Sequence, residues 1–264
     1  MFMKYKRVLI LVTILFFVTV SIFASAMLFT VNEIEIKADV IASSGEGVQS
    51  KAETVLSSYK GKNYIFTDTN KIANEVQKSS PYVKVVSVNK VFPNKIVVEI
   101  KERKEALCLV YDSKYYVLDE ELVILKISNS NENNVDGLKN VELNLNVADY
   151  GQAELAVGAK LNVYDQTAFS YLKNSVTKFV ENRQNLESVT LEVKRDGNVY
   201  NRLTLAMREG VKFRIQKANE ETLEKLDKAF EFYSNLTMPN GNKGEGDYFV
   251  FKLESSGDVV VSKA

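Results

Sequence analysis

SSPYVKVVSVNKVFPNKIVVEIKERKEA, residues 79–106, holds two valine-rich runs joined by Phe92-Pro93-Asn94 and closes on the charge cluster Glu102-Arg103-Lys104-Glu105. From Lys95 onward, Ile96, Val98 and Ile100 share one parity while Glu99, Lys101 and Arg103 share the other, which is the period of a half-buried strand. In the first run Val83 and Val85 take one parity, and Val86, Val88 and Lys90 take the other. That strand therefore either bulges near Val85-Val86 or is buried on both faces. Pro93 falls between the runs, where its missing amide costs no ladder bond. The stretch predicts a hairpin inside a small sheet.

Upstream, VNEIEIK at 31–37 reads as a short strand, and Gly45 and Gly47 open a turn. Ala52, Val55, Leu56 and Tyr59 then share a helical face that Gly61 ends; Thr69 is the expected cap of a second helix carrying Ile72, Ala73 and Val76, which Ser80-Pro81 stops. The order strand, helix, helix, strand, strand places two helices over one face of three strands.

Downstream, ALCLVY, KYYVL and LVILKI read as short strands separated by Asp112-Ser113 and Asp119-Glu120-Glu121. SNSNENNVDG, 128–137, is the expected exposed connection. Asp165 caps a predicted helix with a stripe of Phe169, Leu172, Val176, Phe179 and Val180. Strands near 186–194 and 199–207 flank Asp196-Gly197-Asn198, a hairpin turn, and a further strand covers 212–216. A second helix over 219–234 shows Leu223, Leu226, Ala229, Phe230 and Tyr233 on its apolar stripe. A Gly- and Asn-rich loop at 238–246 precedes DYFVFKLE and DVVVS.

With 264 residues, 45% of them hydrophobic and 26% charged, the chain has the balance of one large globular domain or two small ones. Its 34 basic and 34 acidic residues cancel, so no global charge favours a nucleic-acid partner. The ends differ: Lys4, Lys6 and Arg7 are the only charges in residues 1–29. Directly after them, residues 8–29, VLILVTILFFVTVSIFASAMLF, carry no charge. As a helix this run is about 33 Å long against a hydrocarbon core of about 30 Å, and the basic residues before it keep the N-terminus on the cytoplasmic side. The competing expectation is a cleaved signal peptide, with Ala24-Ser25-Ala26 as the small-x-small site. The apolar run continues past that site and its leading part is long for a signal core, which favours an anchor.

Chemistry-bearing motifs are sparse. No histidine is present and Cys108 is the single cysteine, which removes His-based triads, zinc chemistry and an intramolecular disulfide. Cys108 sits in an apolar run as a small buried hydrophobe. No nucleophile elbow, P-loop or dinucleotide fingerprint stands in a strand-turn-helix context. Asp119, Glu120 and Glu121 read as solvated turn residues rather than a catalytic pair. No catalytic residue, cofactor site or metal site is expected, although carboxylates alone leave a wall hydrolase as an alternative. The short tail before Val8 argues against a cytoplasmic output domain of a sensor.

The anchor, VNEIEIK, GKNYIFTDTNKI at 61–72, SPYVKVVSVNKVFPNKIVVEIKER at 80–103 and YYVLDEELVI at 115–124 together resemble the bacterial cell-division family FtsQ/DivIB. The resemblance extends more loosely to the C-terminal helix and strands, and the Phe92-Pro93-Asn94 turn leading into Glu102-Arg103 is its most specific element. The chain departs from the family's usual form at Glu105, near a frequent proline, and at Glu121, where a glycine commonly follows the Leu118-Asp119 pair.

The resemblance implies an α+β protein: a cytoplasmic tail (1–7), one transmembrane helix (8–29), a POTRA domain of β-α-α-β-β form (30–101), and a mixed β domain with two helices (102–264). Both domains then lie outside the cell membrane at the division septum. It further implies a non-catalytic scaffold that binds FtsL-type and DivIC/FtsB-type single-span proteins and helps position and regulate septal peptidoglycan synthesis. A POTRA-containing assembly factor is the alternative, disfavoured by the lack of tandem modules. Glu102 to Glu105 would lie at the domain junction, solvated or paired there.

The family's last strands bind the DivIC/FtsB-type partner, which directs attention to DYFVFKLE at 247–254. Alternation puts Tyr248, Val250 and Lys252 on one side and Phe249, Phe251 and Leu253 on the other. The expectation is strand addition at this sheet edge, with Tyr248, Val250, Lys252, Phe249 and Phe251 as candidate contacts, Tyr248 and Val250 foremost, and with core completion as the favoured reading of Phe249, Phe251 and Leu253.

Overall fold

The computed structural model describes residues 2–41, 45–194, 200–237 and 243–264. The chain divides into two compact units: the first includes helix α1 (Phe2–Leu28) and runs to Glu102, and the second runs from Arg103. The side chains described without a break along α1 are those of residues 9–21, all exposed. Among the described residues no helix is long and apolar enough to cross a membrane.

In the first unit β1 (Glu33–Asp39), β2 (Val83–Val91) and β3 (Lys95–Glu102) form a sheet in the order β1-β3-β2, and α2 (Val48–Ser57) and α3 (Thr69–Lys78) follow β1 in sequence. Strands β2 and β3 are the predicted hairpin, antiparallel around a cis Phe92–Pro93 bond, and β1 joins β3 in parallel. Ile96, Val98 and Ile100 are all fully buried, as are Ala52, Ile72 and Val76 from the helices. The ambiguity in β2 resolves as a bulge: the register slips between Val85 and Ser87, and Val86 points outward, 45% exposed. The α3 cap is Asp68, not Thr69. Its carboxylate accepts from the amides of Asn70 and Lys71, satisfying two of the donors that a helix start leaves open.

The second unit is built on β4 (Leu107–Tyr111), β5 (Lys114–Leu118), β6 (Ile124–Ser128), β7 (Val141–Leu145), β8 (Leu186–Glu192), β9 (Arg202–Met207), β10 (Val211–Ile215), β11 (Gly246–Lys252) and β12 (Val259–Lys263). Among the described residues these strands form one sheet, ordered β12-β11-β10-β9-β8-β7-β4-β5-β6. Three of its pairings, β4 with β7, β7 with β8 and β10 with β11, join parallel strands, and the last two need a long crossover from each strand to the next. Helices α4 (Gln166–Glu181) and α5 (Thr222–Asn235) are those crossovers. They pack on one core through Leu172, Val176 and Phe179 from α4 and Leu226, Ala229 and Tyr233 from α5.

Asp165 caps α4 as expected, accepting from the amides of Thr167 and Ala168. On α5 the buried face is rotated from the expected stripe: Thr222 and Lys225 are buried, while Leu223 is 39% exposed. Strand β7 was not anticipated, although Val141, Leu143 and Leu145 alternate within VELNL. The Asp196-Gly197-Asn198 turn and the first part of the 238–246 loop lie outside the described residues.

Candidate functional site

Strand β11 carries the predicted contact residues, and the structure corrects both their facing and their position in the sheet. Val250 is fully buried and Tyr248 packs beside it on the helix-covered side, whereas Phe249 and Phe251 are half-buried and Leu253 is exposed. Tyr248 stacks on Phe213 at 5.7 Å between ring centroids and meets Phe232 of α5 at 5.0 Å. This aromatic contact holds α5 to the strands. Gly246 makes room for it: a Cβ there would come within 3.0 Å of the Tyr248 ring. Phe249 lies on the opposite face under the Arg214 guanidinium, 5.9 Å from the ring centre. With aromatics at alternating and intervening positions, sequence parity alone could not choose the inner face.

Strand β11 is also not the edge. It lies between β10 and β12, and the Gln216 amide donates to the Val250 carbonyl across the β10 side. The terminal strand is β12. The Leu253 amide donates to Asp258 and the Ala264 amide to Asp247, and in an antiparallel ladder hydrogen-bonded and non-hydrogen-bonded pairs alternate. The pairs Tyr248–Lys263, Val250–Val261 and Lys252–Val259 are therefore the non-hydrogen-bonded ones. The N–H and C=O groups of Val259, Val261 and Lys263 point away from β11, toward the open edge. The side chains of Val259 and Val261 pack against the core, so this edge has apolar backing.

Lys252 fastens β11 to the start of α5. Its Nζ lies 3.0 Å from Glu221 Oε1 and 3.9 Å from Glu224 Oε2. The hydrogen bond to Glu221 raises the Lys252 pKa, and the same bond holds Glu221 below the usual carboxylate range. Below it Lys225, 2% exposed, donates to the carbonyls of Gln216 (3.2 Å) and Lys217 (3.0 Å) and to Asn219 Oδ1 (3.1 Å). Burial lowers its pKa, and Glu221 at 3.7 Å opposes that shift. Sequence reading missed Lys225; its signal was a lysine interrupting an apolar face.

The charge cluster of residues 102–105 is partly buried rather than solvated. Glu102 accepts from the Ile41 amide at 2.7 Å. Arg103 pairs with Asp119 and with Glu121, the latter at 2.7 Å. Asp119 also accepts from the amides of Glu121 (2.9 Å) and Val123 (2.7 Å), closing a turn in which Leu122 takes φ of 64°. The left-handed position is thus one residue beyond Glu121, held by Asp119 where a non-glycine residue is costly. Glu105 is buried against Lys126 at 2.7 Å and receives the Asn134 amide. Asn131 and Asn133 in the expected exposed loop are buried as well, and Asn133 donates to the Glu105 carbonyl. Loop polarity had hidden these contacts.

Cys108 is buried, and desolvation pushes its thiol pKa up. Among the described residues no group of His, Cys, Asp or Glu side chains could hold a metal ion. Lys4, Lys6 and Arg7 all lie in the opening turns of α1, and the Lys6 side chain is exposed.

A β-α-α-β-β unit followed by a large mixed sheet defines a POTRA-bearing protein, and residues 29–103 match the model of the POTRA domain, FtsQ-type. Curated relatives agree. Cell division protein DivIB of Clostridium tetani is 24% identical over 136 residues, covering 50% of each chain. DivIB of Clostridium botulinum is 23% identical over 171 residues, 65% of this chain and 61% of the relative. DivIB of Clostridium acetobutylicum is 29% identical over 84 residues, 32% of each. The chain thus carries an FtsQ-type POTRA domain and is similar to DivIB cell-division proteins. It spans less than two thirds of the length of these relatives.

Proposed function

We propose that this cell-division protein is a non-catalytic, membrane-anchored scaffold, and that it holds a single-span division protein of the DivIC/FtsB type by adding a partner strand to β12. The observation that carries this reading is the open edge of β12. Outward N–H and C=O groups at Val259, Val261 and Lys263 can accept a partner strand, and the side chains of Val259 and Val261 pack against the core behind that edge. Within β11, Tyr248, Val250 and Lys252 support the site from inside, and Phe249 and Phe251 offer a half-buried aromatic surface next to it.

The anchor reading rests on the sequence, in which residues 8–29 carry no charge and a helix over them would be about 33 Å long at about 1.5 Å per residue. Lys4, Lys6 and Arg7 precede an uncharged run, and Leu9, Leu11, Phe16 and Phe17 on it are well exposed. Such a surface suits lipid. The basic end then stays cytoplasmic, and both units face outward at the septum. There the protein would join FtsL-type and DivIC/FtsB-type proteins and help position septal peptidoglycan synthesis.

The test is a pulldown of the full-length protein from dividing cells, with identification of co-purifying membrane proteins. Single-span division proteins should be recovered with the intact chain and lost with a Val261→Pro variant, which removes one outward amide. Equal recovery with that variant, or recovery of none, would overturn the reading.

A further inference from the structure

Two turns of the first unit hold large apolar side chains out of the core. Phe66 is 85% exposed and Phe92 74%, and Ile65 and Val91 beside them are exposed as well. Ile65 and Phe66 lie in the turn before α3, and Val91 and Phe92 lie at the tip of the β2–β3 hairpin. A single exposed apolar residue needs no explanation. Two adjoining pairs form a patch of the kind that marks a contact with a membrane or a protein.

Hydrogen bonds fix the first turn and tie it to the second. The Asn63 side chain accepts from the amides of Ile65 (2.9 Å) and Phe66 (3.2 Å), and the Thr67 hydroxyl donates to the Asn63 carbonyl. Lys90 reaches across from β2 and donates to the Ile65 carbonyl at 3.0 Å, which brings the two pairs together. The chain leaves α1 at the same place. The Tyr64 amide donates to the Phe29 carbonyl at 2.7 Å, and the Phe29 ring lies 5.9 Å from that of Phe92. Phe29 is the last residue of the uncharged run 8–29. Lys60 and Lys62, both exposed, precede the turn, and the carboxylate of Asp68 just after it is already engaged in capping α3.

We propose that Ile65, Phe66, Val91 and Phe92 form a lipid-contact surface that seats this tip of the first unit in the headgroup region of the outer leaflet, beside the point where the chain emerges from the bilayer. The inference rests on the anchor reading, and the contact with Phe29 is what commits the patch to lipid. A side chain in ring contact with the last residue of a membrane-spanning run lies at the level of the headgroups. Interfacial segments bury apolar side chains about 5–10 Å deep while basic residues stay with the headgroups, and Lys60 and Lys62 can lay their stems along the apolar surface with their charges at lipid phosphates. Seated in this way, the first unit holds the membrane at two places, α1 and the tip, which restricts its rotation about the connecting chain.

The chain contains no tryptophan, so one introduced into the full-length protein reports its own surroundings by fluorescence. Phe66→Trp and Phe92→Trp are compared with Val86→Trp, an exposed site of the same unit about 20 Å from Phe92 along β2 at about 3.3 Å per residue, and with Phe17→Trp in the middle of the uncharged run. Each variant, its folding checked by circular dichroism, is reconstituted alone in vesicles of phosphatidylcholine and phosphatidylglycerol whose acyl chains carry bromine either close to the headgroup or near the methyl end. Phe66→Trp and Phe92→Trp should shift their emission to the blue and lose it to shallow bromine more than to deep bromine, Val86→Trp should keep its emission, and Phe17→Trp should lose its emission chiefly to deep bromine. Unquenched emission from Phe66→Trp and Phe92→Trp beside a quenched Phe17→Trp would overturn this proposal alone and leave the patch to a protein partner. Equal loss in Val86→Trp would also overturn it. An unquenched Phe17→Trp would overturn the anchor reading, and this one with it.

Discussion

Lys225 holds its ammonium group against two carbonyls and an amide oxygen in the turn between β10 and α5. Replacing it with Met keeps the stem and strands those acceptors, which should destabilise the second unit by about 1 to 3 kcal/mol in urea unfolding. The sign of the pH effect follows from its lowered pKa. Between that lowered value and the ordinary lysine value of about 10.4, the unfolded chain binds more protons than the folded one, so stability rises with pH. The difference in stability between wild type and Lys225→Met should therefore grow across that window. A constant difference would mean that the buried amine titrates normally. Arg103 is a second case: Arg103→Met leaves the buried Asp119 carboxylate without its cation and should cost about 3 to 5 kcal/mol. Neither role was legible, because a lysine on a helix and an acidic turn both read first as solvated. Their burial depends on carbonyls and amides supplied by residues outside the local pattern.

At the scale of the element, strands with one covered face could be read directly and strands with two apolar faces could not. Ile96, Val98 and Ile100 alternate with charge, so β3 could bury only one side, and it does. Ile100→Ala should cost about 2 to 5 kcal/mol in urea unfolding, and a neutral result would contradict the packing of this hairpin against α2 and α3. In β11, by contrast, Tyr248, Phe249, Val250 and Phe251 are consecutive, and only the position of α5 selects Tyr248 and Val250 as the inner pair. The same strand explains why Val250→Pro is a poor probe of partner binding: its backbone belongs to the internal β10–β11 ladder, so proline there breaks the sheet itself. Helix α1 has its own measurement. Protease added outside wall-stripped cells should remove most of the chain, and alkaline carbonate should leave the intact protein in the membrane fraction. A soluble product beginning near Met27 would contradict the anchor.

At the scale of the whole molecule, two crossover helices organise the second sheet so that its last hairpin lies beyond β10 and its terminal strand keeps one side open. The POTRA unit was readable from the Phe92-Pro93-Asn94 hairpin and its flanking helices. The open edge was not, because it depends on the strand order of the entire sheet, including β7, whose parallel pairing to β4 and β8 comes from distant sequence. The central claim is that β12 receives a partner strand through its outward amides. Its most direct measurement is a binding titration of the full-length protein in nanodiscs with the ectodomain of a DivIC/FtsB-type partner, comparing wild type with Val261→Pro and checking folding by circular dichroism. The account predicts affinity at least about tenfold weaker for the folded variant, equivalent to about 1.4 kcal/mol. Equal affinity in a folded Val261→Pro protein would contradict it.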